Sequence, residues 1–408
     1  MIRKPKELSA EKIAIIIILN SILISLGTDI HLPSLPLMKN ALLATEFQCQ
    51  LVLMIFMVGA VVSRLVWGPL SDLYGRRKVL LFTLILQVIA QTGLALSTNI
   101  YHLIFWRAFQ SLGAGIITVI GTVIIADSFR GDNRAKYLGL LEMAFPVAFV
   151  IAPIFGAILL DFTNNWRSPF IFMWFILVIC FLMSYFLIPE TNTNLASGTK
   201  IINSFKMYLR VIKNFQFMIY STIIGLTISV YMMFAICSPF IYIEDMSISL
   251  DEYALLMCIP LIINIISTFI YKYVVLLYGI DRCIKAGMIA LTTLIPAFFI
   301  IGHGLIEVTP YVVLTAMCLH MAIVPFFISG FIAKTMDLYP HIRGLCSSAS
   351  ASVRALVASV LMIFGTGFIG SEAGPIFMAM GFIIMLVLLL YLISINIKNN
   401  EVRGRLRP

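Results

Sequence analysis

Residues 68–78 read Gly68-Pro69-Leu70-Ser71-Asp72-Leu73-Tyr74-Gly75-Arg76-Arg77-Lys78 and lie between two apolar segments, each long enough to cross a bilayer. A connection this short keeps the facing ends of both segments at one membrane surface. Its consecutive cations Arg76, Arg77 and Lys78 mark that surface as cytoplasmic. Asp72 falls where the first segment ends, so its carboxylate can meet the positive N-terminal end of a neighbouring helix. Gly68 permits close backbone approach, and Gly75 permits the positive φ that a tight reversal needs.

The rest of the chain fits this reading. Of its 408 residues, 61% are hydrophobic and only 12% charged, and the mean hydropathy is +1.03. A water-soluble domain has no way to cover that much apolar surface, whereas a protein that crosses a membrane many times needs none. The formal net charge of +9 is dispersed along the loops rather than gathered into a nucleic-acid footprint, so no nucleic-acid partner is expected. The seven cysteines are scattered, mostly in apolar runs, and read as packing residues; no metal site is expected. The basic start (Arg3, Lys4, Lys6) and the apolar run behind it mimic a secretory leader, but no small-residue cleavage site follows. It reads as a retained first span.

Apolar segments of spanning length begin near Ile13, Leu51, Val79, Tyr101, Lys136, Ser168, Phe215, Tyr253, Cys283, Thr309, Leu345 and Pro375, which makes twelve. The loop charges alternate accordingly. Basic residues such as Arg130, Arg134, Lys213, Lys272, Arg282 and Lys398 fall on one side, and acids such as Glu244, Asp251, Glu307 and Glu372 on the other. Both termini are therefore expected in the cytoplasm. The interval 189–214 opens with Pro189-Glu190-Thr191-Asn192, a breaker-rich stretch. It continues with Ile201, Ile202, Phe205, Leu209 and Ile212 at helical spacing, interleaved with Lys206, Arg210 and Lys213. That pattern predicts an amphipathic helix on the inner leaflet. The expected organisation is a six-span half over 1–188, this linker over 189–214, and a second six-span half over 215–408. Tyr278-Gly279-Ile280-Asp281-Arg282 echoes the opening stretch at the matching place in the second half, as an internal repeat would.

Ionisable groups inside spans carry the functional signal, because each costs about 2.5–3.5 kcal/mol on insertion scales and must face a cavity or a partner. The candidates are Asp29, Arg64, Arg107, Glu142 and Arg354. Arg64 lies near a span end and can snorkel. Pro33 should kink the first span close to Asp29. The inferred depths of Asp29 and Arg107 agree, both in the outer half, so a carboxylate that takes up protons beside a modulating arginine is one reading and a static ion pair the other. Glu142 reads as a second protonation or cation-attracting site, or as a structural ion pair. Arg354 follows the small-residue run Cys346-Ser347-Ser348-Ala349-Ser350-Ala351-Ser352, which suits a tight helix interface. Its charge either binds an anionic substrate group or pairs near the cytosol. Tyr231, Met232, Phe234, Ser238 and Pro239 in span 7, with His320 in span 10, form either an adaptable substrate wall or ordinary packing. His31 reads as structural or interfacial. No phosphate-binding loop and no nucleophile–base set are present, so neither an ATP-driven pump nor an enzyme is expected.

The stretch Gly68–Lys78 resembles the signature loop between helices 2 and 3 of the major facilitator superfamily, and the chain is similar to its twelve-helix drug:proton antiporters of the Bcr/CflA type. Thr28-Asp29-Ile30-His31-Leu32-Pro33-Ser34-Leu35-Pro36 resembles their first-span sequence. Arg107-Ala108-Phe109-Gln110-Ser111-Leu112-Gly113 resembles their fourth-span R-x-x-Q-G-x-G, with Ser111 in place of a glycine. Span 5, from Gly139 through Ala152-Pro153-Ile154-Phe155-Gly156, is similar to the antiporter motif, with Ala152 for the usual glycine, and Ser238-Pro239-Phe240 matches span 7. The resemblance implies an all-α fold of twelve transmembrane helices in two pseudo-symmetric halves. It further implies proton coupling at Asp29, to which the reading of the buried charges adds Arg107 and Glu142, and a conformational lock of Gly68, Asp72, Gly75, Arg76, Arg77, Asp127 and Arg130. The expected protein is a monomeric carrier in a bacterial cytoplasmic membrane that exports small drug-like or amphipathic molecules by alternating access. The proton motive force drives it, and no cofactor is needed. The rival expectations are a dedicated exporter of an endogenous anion such as a carboxylate siderophore, a nutrient or amino-acid uptake symporter, and a non-transporting membrane sensor.

Overall fold

The computed structural model describes residues 9–114, 116–142, 144–192, 206–339, 343–369 and 372–405. Eleven helices among them are long and apolar enough to cross a membrane, and the shorter apolar helix Val147–Thr163 stands where the twelfth span belongs. No strand occurs among the described residues. The order is α1 (Ala10–Asp29), α2 (Leu35–Leu42), α3 (Glu46–Tyr74), α4 (Arg76–Ala95), α5 (Ile100–Ala114), α6 (Ile116–Ser128), α7 (Gly131–Glu142), α8 (Ala144–Thr163) and α9 (Ser168–Leu187). A short helix α10 (206–212) follows, and then α11 (Phe215–Pro239), α12 (Leu250–Tyr278), α13 (Ile280–Gly302), α14 (Pro310–Ile323), α15 (Pro325–Asp337), α16 (Arg343–Ile369) and α17 (Ala373–Arg405).

Two compact units emerge. The first comprises Met1–Phe205 with Ile248–Cys258, the second Lys206–Ser247 with Ile259–Pro408. The opening turns of α12 thus group with the first unit, where the Cys258 thiol donates to the carbonyl of Val150 over 3.1 Å. Chain direction reverses between α3 and α4 at Gly75, with φ +100°, and between α12 and α13 at Gly279, with φ +81°. Both are left-handed values that only glycine adopts without strain. Each reversal is followed by an ion pair between the helix it opens and the second helix after it, α4 with α6 and α13 with α15. In the first unit Arg76 Nε lies 3.8 Å from Asp127 Oδ2; in the second Lys334 Nζ lies 2.5 Å from Asp281 Oδ1. The geometry repeats and the polarity is inverted.

Local chemistry explains the helix ends. Thr45 and Gln48 form a reciprocal capping box at the start of α3 (3.2 and 2.9 Å), and Asn214 Oδ1 accepts from Phe217 N–H at the start of α11 (3.0 Å). Pro33 bears out the expected break: α1 stops at Asp29 and a 3-10 turn over Leu32–Ser34 leads into α2. Span 10 is interrupted the same way, between Ile323 and Pro325. Pro325 has no N–H for the carbonyl of Met321, four residues back. Asn264 of α12 supplies one instead over 3.0 Å, and Ser267 donates to the neighbouring carbonyl of Ala322.

Helices approach most closely where side chains are smallest. A Cβ on Gly59 of α3 would fall 1.7 Å from Ser111 Oγ of α5. Ser111 replaces a glycine of the resembled motif, and the helix facing it supplies the glycine. In the second unit a Cβ on Gly225 would fall 3.0 Å from the carbonyl oxygen of Arg354, and Ser221 bonds Ser350 over 3.1 Å. The small-residue run before Arg354 is therefore a tight α11–α16 interface.

Candidate functional site

The first unit buries a continuous polar chain across four helices. Ending α1 at Asp29 leaves the last-turn carbonyls without helical N–H partners, and these carry the negative end of the helix dipole. Arg107 of α5, fully buried, fills that position. Its Nη2 donates to the carbonyls of Gly27 (3.1 Å) and Thr28 (3.4 Å), and its Nη1 to Gln110 Oε1 (2.7 Å). The guanidinium carbon lies 4.2 Å from the centre of the Phe56 ring, a cation–π contact from α3. Gln110 passes the chain on: its Nε2 donates to Gln91 Oε1 of α4 (2.5 Å), and Gln91 Nε2 donates to the carbonyl of Phe170 in α9 (2.8 Å). A planar guanidinium suits this role because its fixed fork reaches several acceptors at once.

Asp29 closes α1 one residue beyond the second carbonyl that Arg107 holds, and is half-buried. No direct ion pair joins Asp29 to Arg107 among the described residues, although the two charges interact. Arg107 is thus charge-balanced by peptide dipoles rather than by a salt bridge. His31 is buried and not interfacial; its ring stacks on Phe170 at 4.0 Å and 8°. From α8, Ala152 and Pro153 are buried, and Gly156 faces the break in α1, where a Cβ would fall 2.3 Å from the carbonyl oxygen of Ile30. The segment that resembles the antiporter motif therefore packs directly on the chain leaving Asp29. Glu142 closes α7 and Gly139 lies one turn before it; the side-chain environment of both positions lies outside what the structure describes.

At the Gly75 reversal Arg76 is largely buried and donates to Ser71 Oγ (2.7 Å) in addition to its ion pair with Asp127. Arg77 donates to the carbonyl of Tyr185 (2.6 Å) and stacks over its ring. Arg130 is exposed after α6. Gly68 and Asp72 sit within α3, but their immediate side-chain surroundings lie outside the described residues. The carboxylate seen at a helix N-terminus here is Glu190, which accepts from the backbone N–H of Arg76 (2.9 Å) and of Arg77 (3.2 Å). In the sequence, Glu190 is a single acid within the breaker-rich stretch that opens the linker. The signal available was a lone acid just past a span end, opposite a loop of cations.

The second-unit candidates separate by burial. Phe234, Ser238 and His320 are fully buried and Tyr231 nearly so, whereas Met232 and Arg354 are half-buried. Pro239 ends α11, and a π-helical stretch, Phe240–Asp245, follows. α11, which carries the span 7 residues, packs against α15, α16 and α17.

The family model of the Major Facilitator Superfamily matches residues 17–362. The chain belongs to this superfamily. It is a multi-pass membrane transporter and not an enzyme. Over 93% of its length it is 21% identical to a bicyclomycin resistance protein homolog of Haemophilus influenzae, of which the match covers 95%. It is 26% identical over 65% of its length to a chloramphenicol resistance protein of Pseudomonas aeruginosa. That second match spans 63% of the relative's own length. Among solved structures, the nucleoside transporter NupG aligns over 94% of this chain and 99% of its own, with a TM-score of 0.72 at 14% identity, a likeness of fold.

Proposed function

We propose that this transporter exports small drug-like organic molecules in exchange for protons, with Asp29 as the proton carrier and Arg107 as the group that modulates it. The observation that carries the reading is the placement of a fully buried Arg107 on the broken end of α1, one residue from Asp29. A proton on Asp29 removes the carboxylate that competes with the peptide carbonyls for the guanidinium. Loss of the proton restores it and draws Arg107 off the Gly27 and Thr28 carbonyls toward the Asp29 carboxylate at the end of α1. Since α8 is seated on the same break through Gly156, movement there is passed to a second helix. Two relatives named for resistance to chloramphenicol and to bicyclomycin support the reading of an exporter of drug-like molecules. One pH unit supplies about 1.4 kcal/mol per proton and 100 mV about 2.3 kcal/mol per charge. Together these sustain a concentration ratio of a few hundredfold per proton. The carrier is placed in a cytoplasmic membrane with both termini inside, working as a monomer, and organised as the halves 1–188 and 215–408 about the linker.

Proteoliposomes with an imposed pH gradient test the proposal. Cationic drugs, amino acids and polycarboxylates are added in turn while internal pH is followed, the polycarboxylates because of the half-buried Arg354. Proton flux opposite to substrate movement, abolished in Asp29→Asn, is the expected result. Co-movement would make the protein an uptake symporter, and full coupling in Asp29→Asn would remove Asp29 from the mechanism.

A further inference from the structure

We infer that the basic face of α10 is a binding site for the headgroup of an anionic phospholipid. Among the described residues, α10 is packed on one side. Val211 is fully buried against Phe217, Cys346 and Ala349, with Tyr208, Tyr339 and Leu345 around them. Two residues after α10, Asn214 caps α11 and donates to the Tyr339 hydroxyl over 3.2 Å. The orientation of α10 relative to the start of a membrane span is therefore set by packing and by a cap. Lys206, Leu209, Arg210 and Lys213 recur at intervals of three and four, so they share the face turned away from Val211, and they line one shallow groove. All four are exposed, and none of the three cations pairs with a carboxylate among the described residues.

Depth selects the ligand. Lys213 lies two residues before Phe215, where the apolar span begins, and both Leu209 (59% exposed) and Phe215 (65% exposed) stand bare at this level. Three cations interleaved with bare apolar side chains at the edge of hydrocarbon match a lipid phosphate with acyl chains beneath it. A soluble phosphate would gain nothing from Leu209 and Phe215. A zwitterionic lipid presents the same phosphate but adds a cation that the groove repels. The site depends only on membrane insertion, and stands or falls separately from the assignment of Asp29.

Native mass spectrometry of the full chain in detergent tests this, with phosphatidylglycerol and phosphatidylcholine as matched probes. Each cation near an anionic surface is worth about fivefold in binding. Phosphatidylglycerol adducts should therefore exceed phosphatidylcholine adducts and fall at least tenfold in a Lys206→Gln, Arg210→Gln, Lys213→Gln triple variant. Glycerol 3-phosphate should fail to displace them. Equal binding of both lipids, undiminished adducts in the triple variant, or displacement by glycerol 3-phosphate would each overturn the assignment. Unfolding of the variant at the parental temperature in phosphatidylcholine micelles serves as the folding control, and single substitutions replace the triple if that control fails.

Discussion

Gln110 donates its side-chain amide to the amide oxygen of Gln91 over 2.5 Å, and through that bond α4 holds the arginine of α5 in place. Gln91 touches neither Arg107 nor Asp29 in this chain of bonds, yet replacing it would leave Gln110 and the Phe170 carbonyl each short of a buried partner. Such losses cost about 1–3 kcal/mol apiece. Gln91→Leu should therefore lower the unfolding temperature and weaken proton-coupled flux together. Arg107→Lys should not preserve coupling, because an ammonium has no planar fork to reach Gln110 and two carbonyls at once. A Lys variant with unimpaired coupled flux would refute that geometry.

Gly59 and Ser111 form a pair that can be exchanged. Gly59→Ala places a methyl group where Ser111 already stands, and overpacking of this kind costs about 1–3 kcal/mol. Ser111→Gly should relieve it. The double variant is expected to unfold close to the parental temperature, and the single Gly59→Ala variant well below it. Additive losses would mean that the two residues do not share the contact.

Glu190 acts as a cap from a distance. Glu190→Ala should cost about 0.5–2 kcal/mol by exposing the first N–H groups of α4, and Glu190→Gln should cost less because one acceptor remains. Gly75→Ala meets two obstacles at once, a φ of +100° and a Cβ 2.5 Å from the Glu190 carboxylate. It should exceed Glu190→Ala in a thermal-shift comparison.

The break in span 10 offers a suppressor test. Asn264→Leu strands the Met321 carbonyl, at a cost of about 1–3 kcal/mol. Pro325→Ala returns an N–H four residues along and should recover part of that loss by letting α14 and α15 join. A double-mutant cycle in detergent measures the coupling, and zero coupling energy would separate the two residues.

Much of this was legible in the chain. Apolar length located the spans, Pro33 located the break in α1, and Gly75 and Gly279 announced their reversals. Charges too costly to leave in hydrocarbon singled out Asp29 and Arg107. The partners were not legible, since spacing along one helix carries no information about which residue of another lies opposite. Gln91 looked like one polar residue in an apolar span, and Gly59 like one glycine among many. Asn264 becomes meaningful only when its helix lies beside Met321. Burial in span 7 was equally hidden, because an aromatic and methionine run serves a cavity wall and a packed core alike.

Arg107 is anchored to α1 by peptide carbonyls, and this has a consequence for genetics. No replacement of the Gly27 or Thr28 side chain deletes the oxygen that receives the guanidinium. A substitution scan would score Gly27 for the clash of a new Cβ with Met173, 2.9 Å away, and record a steric requirement. Half of the arginine's binding surface is thus invisible to codon changes. It would yield only to chemistry that edits the backbone itself, such as an ester in place of the amide linking Gly27 to Thr28, which weakens the carbonyl as an acceptor and leaves every side chain intact.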